Sequence, residues 1–195
     1  MKKLFFILSC LYFLSACAST PESNVENSAQ ADVEGLRWGA SLEEVEKLYP
    51  GWEEAPRLAK ASFIKEEMQN SNCRAFWQDG IPAVMFLFLD NKLCQFLVSY
   101  TTFEDSKKLT RSDQMQILAD MTIKYGDFGD GIPKTFRYDN GDERNTTYYE
   151  KIYGGRSSIA IFFSNYELEN IRCYEADVFY VDVRYLDKFY IGFDD

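Results

Sequence analysis

The stretch AVMFLFLDNKLCQFLVSYT, residues 83–101, decides the fold class. Its opening, Ala83 to Leu89, is apolar almost throughout and only seven residues long. That length and the run of Phe and Leu predict a central strand buried on both faces. Asp90-Asn91-Lys92 is turn chemistry, and Leu93 to Thr101 returns as the hairpin partner. Strand alternation there places Cys94, Phe96, Val98 and Tyr100 on one face, read as core. Leu93, Gln95, Leu97 and Ser99 take the other face.

Working upstream, Asn72 to Gln78 reads as a strand closed by a turn at Asp79-Gly80, and Ala59 to Glu66 as a weaker strand. Ser41-Leu42-Glu43-Glu44 has the form of a capping box, in which Ser41 caps a helix and Glu44 reaches back. Leu42, Val45, Leu48 and Tyr49 then share a helical face until Pro50-Gly51 stops the helix. Downstream, a second helix is expected from about Ser106 or Ser112 to Tyr125, ended by Gly126. Its apolar face would hold Met115, Leu118, Ala119 and Thr122, with Met121 and Tyr125 nearby. Strands return at Lys134 to Tyr138, Asn145 to Tyr153 and Ser158 to Ser164, with Gly154-Gly155 as a hairpin turn. Ala176 to Leu186 alternates, with Phe179, Val181, Val183 and Tyr185 inward and Asp182 and Arg184 outward.

The order is helix, strands, helix, strands: an α+β fold with helices packed on antiparallel β-sheets. Lys47-Leu48-Tyr49-Pro50-Gly51 and Ile123-Lys124-Tyr125-Gly126-Asp127 fall at matching places at the two helix ends. They suggest two similar helix-plus-sheet halves, 35–104 and 105–195.

The N-terminus carries a separate message. Lys2 and Lys3 precede an apolar stretch, Leu4 to Leu14, too short to span a bilayer. Leu14-Ser15-Ala16-Cys17 follows. This resembles the lipobox of type II bacterial signal peptides, in which small residues admit the peptidase and the cysteine thiol takes up lipid. The resemblance implies a signal peptide at 1–16, lipidation of Cys17 and a lipid-anchored cell-envelope protein. Two or three acyl chains, palmitate among them, give stable anchoring where one would be marginal. Ala18 and Ser19 in place of an acid after the cysteine favour delivery to the outer membrane over retention at the inner one. Residues 17–34 then read as the lipidated cysteine and a flexible tether, since Ala18 to Val33 is polar, acidic and nearly free of apolar residues. The α+β body is 35–195.

Composition narrows the chemistry. The formal charge is −10 and there is no basic stripe, which argues against nucleic acid as a partner. The chain has no histidine, which removes the commonest general base and the commonest metal ligand. No catalytic residue, cofactor or metal ligand is assigned from the sequence. Cys73, Cys94 and Cys173 remain in the body. An oxidising envelope would permit one bridge, Cys73 to Cys94 across a sheet, although small buried thiols are the preferred reading. Asp127-Phe128-Gly129 matches a kinase tripeptide without the accompanying motifs, and the acidic loops at 127–131 and 139–143 read as polar turns. The aromatic share, 16%, leans the body towards β structure. Tyr148, Tyr149, Tyr153, Phe162, Phe163, Tyr166, Tyr174, Phe179, Tyr180 and Tyr190 are too many for one sheet face, so an aromatic surface facing a protein, glycan or lipid is expected.

Two further resemblances bear on the body. Trp38-Gly39-Ala40-Ser41-Leu42-Glu43-Glu44-Val45, the turn Phe88-Leu89-Asp90-Asn91-Lys92-Leu93 and the pair Tyr125-Gly126 resemble a group of uncharacterised bacterial envelope proteins with a WG-x-S-x-E-E-V opening. More distantly, a capped helix followed by an antiparallel sheet is similar to the small BamE/SmpA-type lipoproteins, which are binding and scaffolding subunits. These resemblances imply a non-enzymatic binding module with another envelope protein as partner. A carrier of a hydrophobic or glycan ligand is the alternative, and a carboxylate-based hydrolase ranks below both. Trp38 reads as a hydrophobic staple over the helix start rather than as a ligand contact.

Overall fold

The computed structural model describes residues 33–61, 64–80, 82–100, 109–137, 143–168 and 171–189. The expected features that fall elsewhere, including the signal peptide, Cys17 and Tyr190, lie outside the described residues. In chain order the elements are α1 (Leu42–Leu48), β1 (Glu53–Glu54), a 3-10 turn (Leu58–Lys60), α2 (Glu66–Gln69), β2 (Cys73–Gln78), β3 (Ala83–Leu89) and β4 (Lys92–Ser99). Then follow α3 (Arg111–Tyr125), β5 (Ile132–Arg137), β6 (Glu143–Tyr153), β7 (Ser157–Leu168), β8 (Ile171–Asp182) and a second 3-10 segment (Val183–Lys188).

The architecture is α+β, with one 8-stranded antiparallel sheet ordered β1-β2-β3-β4-β8-β7-β6-β5. Each set of four strands is a meander. The last strand of the first, β4, pairs antiparallel with the last strand of the second, β8, from Gln95↔Val181 to Ser99↔Asp177. The meanders therefore form one continuous sheet instead of separate ones.

The hairpin that opened the sequence reading carries the centre of this sheet. Asp90 and Asn91 both have positive φ, +51° and +60°, the geometry of a tight two-residue hairpin turn. A bulge between Leu87 and Phe88 sets Phe88 opposite Leu93. The extra residue shifts the alternation. Leu93 consequently joins Phe86, Phe88 and Phe96 in the main core, and Cys94 turns to the other face with Ala75, Leu87 and Val181. The expected assignment of Cys94 and Leu93 is thus reversed. Gln95, assigned outside the core, is fully buried.

One face of the sheet carries α1 and α3. The Ser41 box forms as expected: the Ser41 amide donates to Glu44 Oε2 at 2.7 Å and the Glu44 amide to Ser41 Oγ at 3.3 Å. Val45 is buried, Leu42 and Tyr49 pack partly, and Leu48 stays exposed. Trp38 is buried and donates from Nε1 to Ser157 Oγ at 2.8 Å, so the ring ties the helix entry to β7. Gly39, at φ +81°, makes the sharp entry.

Three expectations are corrected. First, helix α3 runs from Arg111, next to the expected Ser112, to the expected Tyr125, but its buried face includes Gln114 and Ile117 beside Met121 and Tyr125. Of the expected stripe, Met115 and Ala119 are exposed while Leu118 packs partly against the main core, so the buried face is turned towards Gln114 and Ile117. Gln114 escapes hydrophobic patterning because it is buried to donate to the carbonyls of Ser164 and Glu175, at 3.1 and 2.8 Å. Second, the weak strand at Ala59 to Glu66 is a 3-10 turn with a single bridge at Ile64, followed by α2. Third, β8 starts five residues before Ala176 and ends at Asp182, whose buried carboxylate accepts from the Arg184 amide and so starts the final 3-10 segment.

Val33 and Glu34, assigned to the tether by composition, pack with the body. Val33 belongs to the main core. The Glu34 carboxylate accepts from Lys124 Nζ at 2.5 Å, Tyr125 Oη at 2.6 Å and Tyr180 Oη at 3.0 Å, and its carbonyl accepts from Tyr49 Oη at 3.2 Å. Tyr49 and Tyr125 close α1 and α3, so both helix ends converge on one residue.

The thiols of Cys73, Cys94 and Cys173 are free. Cys73 lies on β2 and Cys94 on β4, with β3 between them. Two strand spacings, about 9–10 Å, exceed the ~7 Å limit between Cα atoms for a disulfide. Burial pushes the Cys73 thiol up to about 11 and the Cys94 thiol higher still. Both behave as small core residues.

Candidate functional site

The sheet's second face is covered unequally. Beneath the first meander, Ala59, Ile64, Met68 and Phe189 close a small core with Ala75, Leu87, Cys94 and Val181. Ala59, Ile64 and Met68 come from the first 3-10 turn, α2 and their flanks, and Phe189 from the end of the second 3-10 segment. Beneath the second meander, the second 3-10 segment lies against β7 and β8, and α2 and the first 3-10 turn do not reach β5 or β6 among the contacts described.

Register fixes what that area presents. Tyr148 opposes Phe162 on β7 and Ile132 on β5. Tyr148 and Phe162 have centroids 4.9 Å apart, and Phe162 meets Phe179 edge-on at 5.3 Å. Leu97 opposes Phe179 and extends the strip onto β4. Around it stand Ile132, Phe136, Ile152 and Ile171, which are 57%, 37%, 50% and 49% exposed. Strand alternation places all four on this same face. Of the large apolar strand residues exposed in the described structure, only Tyr153 lies on the helix face.

Polar groups fringe the aromatic strip, and their bonds are internal. Tyr148 Oη donates to Glu150 Oε2 at 2.5 Å, and Ser158 Oγ to Glu150 Oε1 at 2.7 Å. Thr146 and Ser164 hydroxyls share a bond at 2.9 Å. Arg144 is paired with Glu175, which also accepts from Tyr166 Oη at 2.9 Å. Burial and the Glu175 bond push the Tyr166 phenol up to about 12. Asp177 is raised by burial, against a bond from Ser99 that lowers it. The carboxylates Glu150 and Glu175 are each engaged by two donors, the arrangement of groups that stiffen a surface.

Of the aromatic set named from sequence, Tyr148, Phe162, Tyr166 and Phe179 come together on this face. Tyr149, Tyr153, Phe163, Tyr174 and Tyr180 point to the helix face. The sequence reading missed the isoleucine rim and Phe136. Period-2 alternation could have grouped them, but only the placement of α3 says which face is covered. Trp38 is a buried structural residue. Asp127 makes a local turn, accepting from the Gly129 amide at 3.0 Å. Among the described residues no cluster of three or more acids and cysteines is arranged to hold a metal, and no helix is long and apolar enough to cross a membrane.

Comparison of the chain with protein-family profiles, with curated proteins and with solved structures finds no match.

Proposed function

We propose that the chain is a cell-envelope lipoprotein, anchored through lipid on Cys17, whose body is a non-enzymatic binding or scaffolding module for another envelope protein. The observation that carries the binding role is the concentration of exposed apolar strand residues, Ile132, Phe136, Ile152 and Ile171, on the sheet face opposite α1 and α3. A strip of half-buried Phe162 and Phe179 beside the buried Tyr148 ring, rimmed by the exposed Ile132, Phe136, Ile152 and Ile171 and fringed by satisfied polar groups, has the make-up of a protein-binding surface. The anchor holds that surface near the membrane, at the outer membrane by the residues that follow Cys17. The two meanders are diverged copies of one helix-plus-sheet unit. The mirror order of the strands about the β4–β8 seam and the convergence of both helix ends on Glu34 support that reading.

The anchor is tested by intact mass and membrane fractionation of wild type beside Cys17→Ser in a bacterium. Wild type should carry lipid mass and pellet with membranes, and Cys17→Ser should do neither. If both are soluble and unlipidated, the anchor is wrong. The surface is tested by placing a photo-crosslinking residue at Ile132, with Ile123 on the outer side of α3 as control. A discrete adduct at 132 alone, abolished by Phe162→Asp, is expected. Equal adducts at both positions would overturn the assignment of this face.

A further inference from the structure

We propose that a second site, on the opposite face of the sheet, binds a small anionic saccharide. It is independent of the open face and of the anchor. Where α3 begins, it stands off the outer strands and leaves a cavity of about 360 Å³ over β6, β7 and β8. That volume falls within the range of small-molecule sites, about 300–1,000 Å³.

Two arginines line this cavity, Arg111 from the first turn of α3 and Arg172 from the start of β8. Among the described residues no carboxylate lines it. Elsewhere Arg37, Arg74, Arg137, Arg144 and Arg184 are each tied to an acid. Arg111 and Arg172 have no ion pair among the described residues. Glu167, directly opposite Arg172 in the β7–β8 register, makes none with it. In a chain of net charge −10, two arginines on one cavity with no ion pair among the described residues form a local positive site. Their planar forks suit a carboxylate or a phosphate.

The rest of the lining selects more than an anion. Tyr149, Phe163 and Tyr174 supply aromatic surface, the first two with centroids 5.9 Å apart. Asn165 and Thr147 add an amide and a hydroxyl. Aromatic faces match the C–H face of a pyranose ring, while the phenols, amide and hydroxyl match its hydroxyl groups. An acidic sugar uses all three features, whereas an inorganic anion uses only the arginines.

Titration calorimetry on the full-length protein in detergent, at low salt, tests this with four probes: methyl glucuronide, glucose 1-phosphate, methyl glucoside and inorganic phosphate. At least one acidic sugar should bind, about tenfold or more tighter than the neutral glucoside, and the tighter of the two identifies the acid group. Arg111→Gln and Arg172→Gln, both at exposed positions, should each weaken binding about tenfold with an unchanged circular dichroism spectrum. Raising salt should weaken wild-type binding of the acidic sugar. The proposal fails if neither acidic sugar binds at millimolar concentration or if the glucoside binds as well. It also fails if phosphate alone matches glucose 1-phosphate, or if the arginine variants and salt leave the affinity unchanged.

Discussion

Glu34 concentrates more of the fold than any other single side chain outside the core. It sits at φ +48°, a strained position for a residue with a Cβ, and is held there by bonds from α3, β8 and the end of α1. Burial alone would raise its pKa, but the Lys124 ammonium and the Tyr125 and Tyr180 hydroxyls more than offset this and hold it below its ordinary value of 4.5. A carboxyl depressed in the folded state stabilises above its unfolded pKa, and that stability is lost as pH falls through the folded value. Glu34→Gln should therefore cost about 1–3 kcal/mol at pH 7, measured by urea unfolding. The gap to wild type should narrow steadily below pH 4.5. A gap that is constant with pH would mean that shape, and not charge, holds the residue. Sequence gave no hint of this role, because a lone acid in a polar stretch looks like tether. Gln114 and Gln95 were illegible for a related reason. Both are buried polar residues, and hydrophobic patterning assigns polar residues to the surface.

At the scale of elements, the sequence was most readable where local chemistry decides the structure. The Ser41–Glu44 box, the Asp90-Asn91 turn and the Gly154-Gly155 turn all use residues whose backbone preferences act within a few positions. Strand β3 has the bounds that its apolar run implied. Failures came where tertiary contacts decide. The bulge at Leu87 reverses the faces of Leu93 and Cys94, and the apolar segment around Ile64 caps the small core without joining the sheet as a strand. Gly131 shows a constraint of the same kind. A Cβ there would lie 2.5 Å from Thr147 Cγ2 and 2.6 Å from the Tyr149 ring, so the approach to β5 depends on its absence. Gly131→Ala should destabilise by about 1–3 kcal/mol through overpacking, seen as a lower midpoint in thermal denaturation. Gly129→Ala is the useful contrast: φ of +71° strains it, but the added methyl meets nothing within 4 Å. If Gly131→Ala melts with wild type, Tyr149 yields freely and β5 is not set by this contact.

On the scale of the whole molecule, the repeat of helix and strands invites the expectation of two bodies, and the packing argues for one. The main core draws Val45, Phe76, Phe86 and Phe88 from the first half and Ile117, Ile159, Ile161 and Val178 from the second. Across the seam Phe96 stacks on Tyr180 with centroids 4.3 Å apart, and Trp38 donates to Ser157. Neither half would bury its apolar face alone, because each supplies part of the other's cover. Unfolding should then be a single cooperative event, as small domains with one shared core show. The chain contains a direct test, since its three tryptophans, Trp38, Trp52 and Trp77, all lie in the first half. Fluorescence of Trp52 and Trp77, read in a Trp38→Phe background because Trp38 touches Ser157 of β7, follows the first half, while far-ultraviolet circular dichroism follows the strands of both. In urea the two signals should share one midpoint, and Tyr180→Ala, a change in the second half, should move both to lower urea together. Loss of the large buried ring should cost about 3–5 kcal/mol, enough for a clear shift. If circular dichroism were lost at lower urea while fluorescence held the midpoint of that background, the second half would be unfolding by itself. The β4–β8 seam would then be a junction between two independently stable units and not the middle of one sheet.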